Sequence, residues 1–450
     1  MMKQILPLLL LCILQHSSAA VLYVAKDGND FGTGTQASPL RTVQNAVDRA
    51  KAGDVIYVSP GTYSEIVKTK SSGTSAAPIV ITSLVDAELS TVAGFLVSHA
   101  DICIDNLILN GQGVTGYQGT VTAGAGAHRL KLSRLTFDSS PQNVHQVLVY
   151  SKDPVIGVKV LSSVFRDANY HALSLTGSGH LVESNLFTGQ RGWDAIRLLS
   201  SFTTISRNVF TNWSNLTGNS NHPDLIQAFS NNGEVACSNL ISANLFVNCV
   251  KTQIGNLEAQ GNQGVFGWQW RNNIWSGVEA AMSICAPSMH FYNNTFIRSG
   301  TNTGSLILFR ALGTRGVATN CLMINNIFYQ CGSTPQNGAT GWYSVDASIT
   351  DFIGDYNSVF GIGAGTSKTT FKNLGRELNG INGLDPRLIT VGSGIFRLAR
   401  NSPLIGRAKS CELIFNDDFS GAIRRGLWDI GAMQFQSGGV VPTDVREIAP

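Results

Sequence analysis

Charged side chains are scarce in this sequence: they make up 14% of its 450 residues, and the formal net charge at pH 7 is +3. A nucleic-acid-binding protein would cluster its basic residues on one stretch or face, whereas here they are spread along the whole chain. Beyond residue 20, no apolar run reaches the roughly 20 residues that a membrane-spanning helix needs. We therefore expect neither nucleic acid nor a membrane as a partner, while an acidic polymer is compatible with the mild positive charge.

Regularly spaced cysteine pairs are also missing. The sequence has 8 cysteines and no Cys-x-x-Cys motif, and one of the cysteines lies in the apolar N-terminal segment. The others are odd in number and irregularly spaced, which argues against a disulfide scaffold or a zinc site. We expect mostly buried single thiols, with room for one or two disulfide bridges at most.

The first 20 residues have the pattern of a secretory signal. Lys3 precedes an apolar run at 5–14, and small residues follow at 17–20. We expect cleavage after Ala20 and a mature protein that is secreted, or periplasmic, and monomeric.

In place of helical periodicity, the sequence has a recurring Asn-x-aromatic unit at intervals of about 21 to 36 residues. Its clearest copies are SNLF (184–187), RNVF (207–210), ANLF (243–246), NNIW (272–275), NNTF (293–296) and NNIF (325–328). Short strand-like segments flank each copy, which is typical of an all-β solenoid. A fixed motif with loops of variable length predicts stacked coils, in which the aromatic side chain fills the interior and the Asn side chains form a hydrogen-bonded ladder. The predicted fold is a parallel β-helix.

Only the segment 42–52 has convincing helical amphipathicity, and Gly53 follows it as a stop signal. Its predicted apolar face consists of Val43, Ala46, Val47 and Ala50. Because the open end of a solenoid would template aggregation, we expect this helix to cap the N-terminal end.

No linker interrupts the even spread of glycine and short apolar runs. We therefore expect one β-helix domain over 21–436, closed by a segment at about 383–436. The last residues, 437–450, are expected to form a flexible tail.

Two parts of the sequence are similar to known secreted proteins. LYVAKDGNDFGTGTQASPLRTVQNAVDRAKAGDVIYVSPGTYSE, followed by GTSAAPIVITS, resembles the amino-terminal part of secreted right-handed β-helix polysaccharide lyases of the pectate lyase and alginate lyase/chondroitinase B type. GLDPRLITVGSGIFRLARNSPLIGRA and RRGLWDIGAMQF resemble the closing segment of bacterial secreted β-helix proteins. The resemblance covers roughly the first 80 and the last 60 residues. It implies a right-handed β-helix and, by association, lyase chemistry with a Lys or Arg base and often Ca²⁺ held by Asp residues.

Aligning the coils on the Asn-x-aromatic unit gives two columns of polar residues. The first lies at the strand start and contains His145, His171, Asp194, Asp224 and, as a fifth member, Lys251. The second lies three positions later and contains Leu148, Ser174, Arg197 and Gln227, with Gln253 one position short of it. Stacked neighbours in a column would lie about 4.8 Å apart. If the alternating apolar residues point inward, the second column faces outward, where a polymer groove would lie.

These columns contain the parts that β-elimination of a uronic-acid polymer needs. The C5 proton becomes acidic once a cation neutralises the adjacent carboxylate, and a base must then lie within hydrogen-bond reach. The candidate catalytic residues are Lys251, Arg197, His222 and His171, and the candidate substrate-binding residues are Gln227, Gln253 and Arg197. Asp194 and Asp224 are candidate ligands for Ca²⁺. The sequence lacks, however, the closely spaced acidic cluster of the calcium-dependent pectate lyases.

Other interpretations stay open at this point. Asp and Asn at the turns of a β-helix commonly bind backbone amides, so a structural role is available to each of these residues. An inverting glycoside hydrolase needs carboxylates roughly 6.5 to 9.5 Å apart, which Asp194 and Asp224 would approach on adjacent coils. The Gly-His-Gly signature of polygalacturonases is absent. A uronate epimerase would share the proton abstraction, and a carbohydrate-binding or surface solenoid would bind without turnover.

Overall fold

The computed structural model describes ten stretches of the chain: 19–189, 193–214, 223–229, 233–250, 252, 254–259, 264–300, 305–332, 342–361 and 375–436. Residues 1–18 of the predicted signal and the predicted tail 437–450 lie outside the described residues.

The solenoid has three faces, each formed by parallel strands, in the described part of the chain. The first face is a 13-stranded parallel sheet. Its strands, in order, are Val21–Val24, Val55–Val58, Ile79–Ser83, Ile102–Asp105, Lys131–Ser133, Lys159–Leu161, Leu181–Glu183, Thr204–Ser206, Leu240–Ser242, Gln269–Arg271, His290–Tyr292, Leu322–Ile324 and Ile353–Asp355.

The second and third faces share the strand Thr91–Val97, which pairs with Thr62–Lys68 and Ile108–Leu109 of the second face and with Gly119–Ala123 of the third. The second face contains Thr62–Lys68, Thr91–Val97, Ile108–Leu109, Thr136–Asp138, Val164–Arg166, Leu186–Thr188, Val209–Thr211, Leu245–Val247, Ile274–Ser276, Thr295–Ile297, Ile327–Tyr329, Ser358–Phe360 and Ile381–Asn382. The third face contains Gly119–Ala123, His145–Val149, Leu173–Ser178, Ile196–Ser201, Ile226–Phe229, Gly255–Glu258, Met282–Cys285, Ile307–Phe309 and Tyr343–Val345.

Few elements lie outside these faces. They are the helix Val43–Arg49, the 3₁₀ helix Gly313–Arg315, the parallel pair Ala236–Cys237 and Val265–Phe266, and the antiparallel pair Leu388–Gly392 and Ile395–Leu398. Neither helix in the described stretches has the length and apolar run that crossing a bilayer requires.

Each strand pairs in parallel with the equivalent strand one coil earlier and one coil later, as Val164–Arg166 does with Thr136–Asp138 and Leu186–Thr188. Parallel strands linked in this way follow the right-handed crossover rule. The prediction of a right-handed parallel β-helix is confirmed.

The Asn-x-aromatic unit explains why the coils stack. Its aromatic rings form an interior column with centroids 4.5–5.0 Å apart: Phe137, Phe165, Phe187, Phe210, Phe246, Trp275, Phe296 and Phe328. Its Asn residues form a buried ladder: Asn185, Asn208, Asn244, Asn273, Asn294, Asn326 and Asn357. Each ladder Asn donates from its side-chain amide to Oδ1 of the next at 2.9–3.0 Å. The residue before each of these Asn residues has positive φ, so the chain turns sharply between the first and second faces.

Glu377 ends this ladder. Its Oε1 accepts from Asn357 Nδ2 at 2.7 Å and from Tyr343 Oη at 2.6 Å, and its Oε2 accepts from the Asn357 amide at 3.2 Å. Burial raises the pKa of Glu377 to about 7, although the hydrogen bonds from Tyr343 and Asn357 act in the opposite direction.

The helix Val43–Arg49 packs its predicted apolar face against the first strands of the solenoid, and Val43, Ala46 and Val47 are buried. Thr42 Oγ1 accepts from the Asn45 amide at 3.2 Å, which caps the N-terminus. The helix ends at Arg49, earlier than the predicted residue 52, because Ala50 adopts extended backbone with ψ 143°.

The Asn-Asn copies of the unit bind the C-terminal segment. In these copies the second Asn joins the ladder and the first faces outward: Asn272 donates to Asp417 O at 3.0 Å, Asn293 to Asp429 O at 3.0 Å, and Asn325 to Lys409 O at 2.8 Å. The single-Asn copies before residue 272 have Ser, Arg or Ala at that position.

All seven cysteines in the described stretches are free thiols, and only Cys237 is not fully buried.

Candidate functional site

The third face brings the predicted columns together. Its register pairs Leu148 with Ser174, Ser174 with Arg197, and Arg197 with Gln227, as the alignment on the repeat predicts. The first column runs beside the second. Ala172 and Ala195 directly follow the column members His171 and Asp194, and their backbone amides donate to the carbonyl oxygens of the next members, Asp194 at 3.3 Å and Asp224 at 2.9 Å. Within each column, the polar side chains therefore come from successive coils.

Arg197 and Asp194 form the centre of the site. Arg197 donates to Asp194 Oδ2 from Nε at 3.0 Å and from Nη2 at 2.6 Å, and Nη2 also donates to Gln227 Oε1. On the next coil, the Gln227 side-chain amide donates to Asp224 Oδ2 at 2.6 Å. The guanidinium lies over the Phe229 ring at 4.7 Å from its centroid, and the Arg197 side chain is 19% exposed. Arg197 is thus held in one orientation while part of it reaches solvent.

Asp194 is a buried carboxylate with donors on both oxygens. Its Oδ1 accepts from the Asp224 amide at 3.0 Å, and His171 Nδ1 lies 3.3 Å from Oδ2. Burial alone would raise the pKa of Asp194, but His171, Arg197 and the Asp224 amide outweigh it and hold the pKa at about 2. Because burial lowers the pKa of His171 against the attraction of Asp194, His171 is neutral at pH 7. The neighbouring His171 ring, Arg197 and the Asp224 amide together keep Asp194 ionised.

His145 continues the first column toward the N-terminus. It is 0% exposed, and its ring lies 5.3 Å from that of His171 between centroids. Burial, together with His171 and Arg197, lowers the pKa of His145 to about 2. This imidazole is neutral throughout the physiological range.

An aromatic strip, defined as Tyr117, Tyr150, Tyr170 and Trp193, lies over this row. Tyr117 is 61% exposed and Tyr150 is 52% exposed, and Tyr170 and Trp193 are partly exposed. The ring centroids of Tyr117 are 6.3 Å from those of Tyr150 and Tyr170, and those of Tyr170 and Trp193 are 4.6 Å apart. Burial, followed by the neighbouring Tyr170, raises the pKa of Tyr117, so its phenol stays protonated.

This strip is not among the residues predicted from the sequence, although the sequence contains a signal for part of it. Tyr170 and Trp193 directly precede His171 and Asp194, so they form a third column next to the first. Tyr117 gave no such signal, because it lies in a loop outside any repeat.

The Asp194–Asp224 pair does not fit a calcium ion in this arrangement. Calcium takes six to eight oxygen ligands. Both oxygens of Asp194 already accept hydrogen bonds, and the Arg197 cation lies against Oδ2 where a metal would bind. No group of three or more metal-binding side chains occurs in the described stretches. We assign no chemical step to a metal.

Three of the predicted site residues, Lys251, His222 and Gln253, lie outside the described residues. Their predicted roles stay predictions. The described members, Arg197, His171, Asp194, Asp224 and Gln227, all lie together on the third face.

The described site combines a fixed cation with exposed aromatic rings. Arg197 offers a rigid guanidinium for a carboxylate, and the aromatic strip offers ring faces on which sugar rings stack. His171 Nδ1 faces ionised Asp194, so an imidazolium formed at His171 would be stabilised by that carboxylate.

A protein-family model described as "Protein of unknown function (DUF1565)" matches residues 26–287. A pectate lyase, PEL9, from Emericella nidulans is 50% identical over 66 residues, which are 14% of this chain and 16% of that protein. The match thus spans about a sixth of that relative's length.

Solved structures share the fold at low sequence identity. A mannuronic acid specific polysaccharide family 6 lyase from human gut microbiota has a TM-score of 0.56 and 14% identity, over 76% of this chain and 89% of that one. A GH136 lacto-N-biosidase from Eubacterium ramulus has a TM-score of 0.50 and 13% identity, over 76% of this chain and 67% of that one. Enzymes with different names thus share this scaffold, and the likeness supports the β-helix alone.

Proposed function

The chain belongs to the DUF1565 family, and we propose that it is a secreted carbohydrate-active protein, namely a polysaccharide lyase that cleaves an acidic, uronic-acid-containing polysaccharide by β-elimination. The observation that carries the proposal is the oriented, partly exposed Arg197 guanidinium beside an exposed aromatic strip. The short match to a pectate lyase agrees with it.

In this proposal, the uronate carboxylate binds Arg197. Charge that develops on the carboxylate as the C5 proton leaves is then met by a fixed cation in a partly desolvated site. Asp194 and Gln227 fix the guanidinium, so little reorganisation is needed during the reaction.

His171 is the base that the described residues support best. Its neutral ring takes the C5 proton, and Asp194 stabilises the resulting imidazolium. The C5–H electron pair forms the C4–C5 double bond as the C4–O bond breaks. The leaving oxygen takes a proton from water or from the Tyr117 phenol. Lys251 and His222 remain alternative bases.

The test is near-ultraviolet absorbance while the protein without residues 1–20 acts on pectate, alginate or chondroitin sulfate, each with Ca²⁺ or with chelator. A rising signal reports the new double bond conjugated to the carboxylate and identifies the substrate. Arg197→Ala is expected to lower kcat by roughly 100-fold or more, since it removes a group that stabilises transition-state charge.

Arg207→Ala is the matched control. Arg207 also pairs with a carboxylate, Glu183, at 3.6 Å, and it lies beside the first face, away from the site. An Arg197→Ala enzyme as fast as the wild type, or an equal loss in both variants, would contradict the proposal. New reducing ends without absorbance would indicate a hydrolase, and a proton exchange at C5 without cleavage would indicate an epimerase.

A non-catalytic glycan-binding protein is the second candidate. It is favoured by the burial of His145, His171 and Asp194, which leaves the phenols and Arg197 as the exposed groups of the described site. It predicts that oligosaccharides bind without any turnover.

A further inference from the structure

His145 is one of several buried polar residues of this face with unpaired side-chain atoms among the described residues, and both of its polar atoms are unpaired. Neither of its ring nitrogens has a hydrogen-bond partner among the described residues, and the residue is 0% exposed. A neutral imidazole carries one N–H donor and one acceptor nitrogen. Leaving such groups buried and unpaired destabilises a fold, so buried groups without partners call for an explanation.

The neighbouring His180 shows that the fold pairs a buried histidine when the role is structural. His180 is 2% exposed; its Nδ1 accepts from the Val158 amide at 3.1 Å, and its Nε2 lies 3.0 Å from Thr176 O. The ring of His145 has no such backbone partner in the described part of the chain.

What covers His145 is a pair of aromatic rings. Tyr117 and Tyr170 meet it in edge-on geometry, with centroids 5.0 Å and 4.6 Å away. Tyr117 is itself mostly exposed, and it follows Gly116, whose φ of 71° lies in the left-handed region. Of the two covering rings, Tyr117 is the more exposed, so its rotation away from His145 gives up less burial than that of Tyr170 would.

We propose that His145 is a substrate-binding residue that a sugar hydroxyl contacts once Tyr117 moves aside. A hydroxyl donates one hydrogen bond and accepts others, which matches a neutral imidazole with both nitrogens available. The charged carboxylate of the same polymer goes to Arg197, two coils away along the row His145, His171, Asp194. This inference rests on the proposed function.

The test compares His145→Phe with the wild type in two measurements. The first is affinity for acidic oligosaccharides from pectate, alginate and chondroitin sulfate, measured as Kd, or as KM where turnover occurs. The second is the melting temperature. Phe keeps the edge-on ring contacts and removes both nitrogens, so we expect affinity to fall about 10-fold, with a melting temperature at or above that of the wild type.

His180→Phe is the control. It removes two satisfied hydrogen bonds, so its melting temperature is expected to fall while affinity stays unchanged. If His145→Phe lowers the melting temperature and leaves affinity intact, His145 is structural and the inference is wrong. If Arg197→Ala weakens binding and His145→Phe does not, the inference alone fails. If the wild type binds none of the oligosaccharides, the proposed function fails, and this inference fails with it.

Discussion

Two buried carboxylates respond to burial in opposite ways. Asp194 keeps a pKa of about 2 because His171, the Arg197 guanidinium and a backbone amide together outweigh its burial, whereas burial raises the pKa of Glu377 to about 7 because Tyr343 and Asn357 offer only neutral donors. A charged partner offsets the free-energy cost of removing the carboxylate from water, whereas neutral donors offset that cost only in part. Of these two carboxylates, only Asp194, which lies in the candidate site, is therefore fully ionised at neutral pH.

Glu377→Gln should stabilise the protein above pH 7. The pKa of Glu377 is raised from its ordinary 4.5 to about 7, so the folded state favours the protonated form. Protonated Glu377 makes its full contribution to the free energy of unfolding below about pH 4.5, and this contribution is lost as the pH rises through 7. The free energy of unfolding falls by about 3 kcal/mol as a result. Gln keeps an acceptor for Asn357 and Tyr343 without the charge.

Urea unfolding at pH 5 and pH 8 checks this. The wild type should lose stability between the two values, and Glu377→Gln should lose much less. Glu183→Gln removes a partly exposed carboxylate several coils away from Glu377, so it should leave the pH dependence of the wild type in place. Parallel curves for Glu377→Gln and the wild type would rule out this account.

Among the elements, the Asn-x-aromatic turn is the one whose buried hydrogen bonds we expect to contribute most to the free energy of unfolding. Asn244 donates to Asn273 Oδ1 at 3.0 Å and to Ile205 O at 2.8 Å, and its Oδ1 accepts twice from Asn208. We expect Asn244→Leu to lower the free energy of unfolding by roughly 3 kcal/mol or more, since it leaves several buried groups unpaired.

The preceding residue gives a matched control within the same turn. Ala243 has φ 54°, a conformation that glycine adopts without strain. Ala243→Gly should therefore change the free energy of unfolding little, or raise it slightly. Denaturant unfolding of both variants measures the contrast, and a loss for Asn244→Leu no larger than that for Ala243→Gly would show that the ladder contributes little.

The sequence predicted these turns well because every coil repeats the same local requirement. The aromatic stack, the ladder and the register of Ser174, Arg197 and Gln227 all follow from aligning the repeats. The burial of Asp194 and the position of Tyr117 could not be predicted in this way. Both depend on side chains from other coils and on a loop outside the repeat, and their placement is a tertiary property.

At the scale of the whole molecule, the C-terminal segment packs back onto the solenoid through Arg424. This side chain is 4% exposed and lies over the Trp428 ring. Its acceptors are the carbonyls of Asp417, Asp429, Gly431 and Ala432 and the side chains of Asn272 and Gln434. The outward Asn residues of the Asn-Asn copies complete the contact.

Arg424→Met should destabilise the protein by about 3 kcal/mol or more, because many buried acceptors would lose one shared donor. Arg400→Met, on an exposed position of the same segment, is the control and should have little effect. Thermal unfolding followed by circular dichroism gives both values. Equal melting temperatures for the two variants would show that this packing is dispensable.

The ladder also has a direction. Each ladder Asn donates one side-chain amide hydrogen bond to the next member of the series and accepts one from the coil before it, and Glu377, which has no side-chain amide, ends the series. A whole coil could be duplicated or removed in the middle of the gene, and each bond would reform with the new neighbour. Deleting the C-terminal end of the ladder, with Glu377, would leave the side-chain amide of the last Asn without an acceptor. The ladder therefore lengthens most readily through coils inserted between its ends, and an engineer who wants a longer binding surface should add coils there.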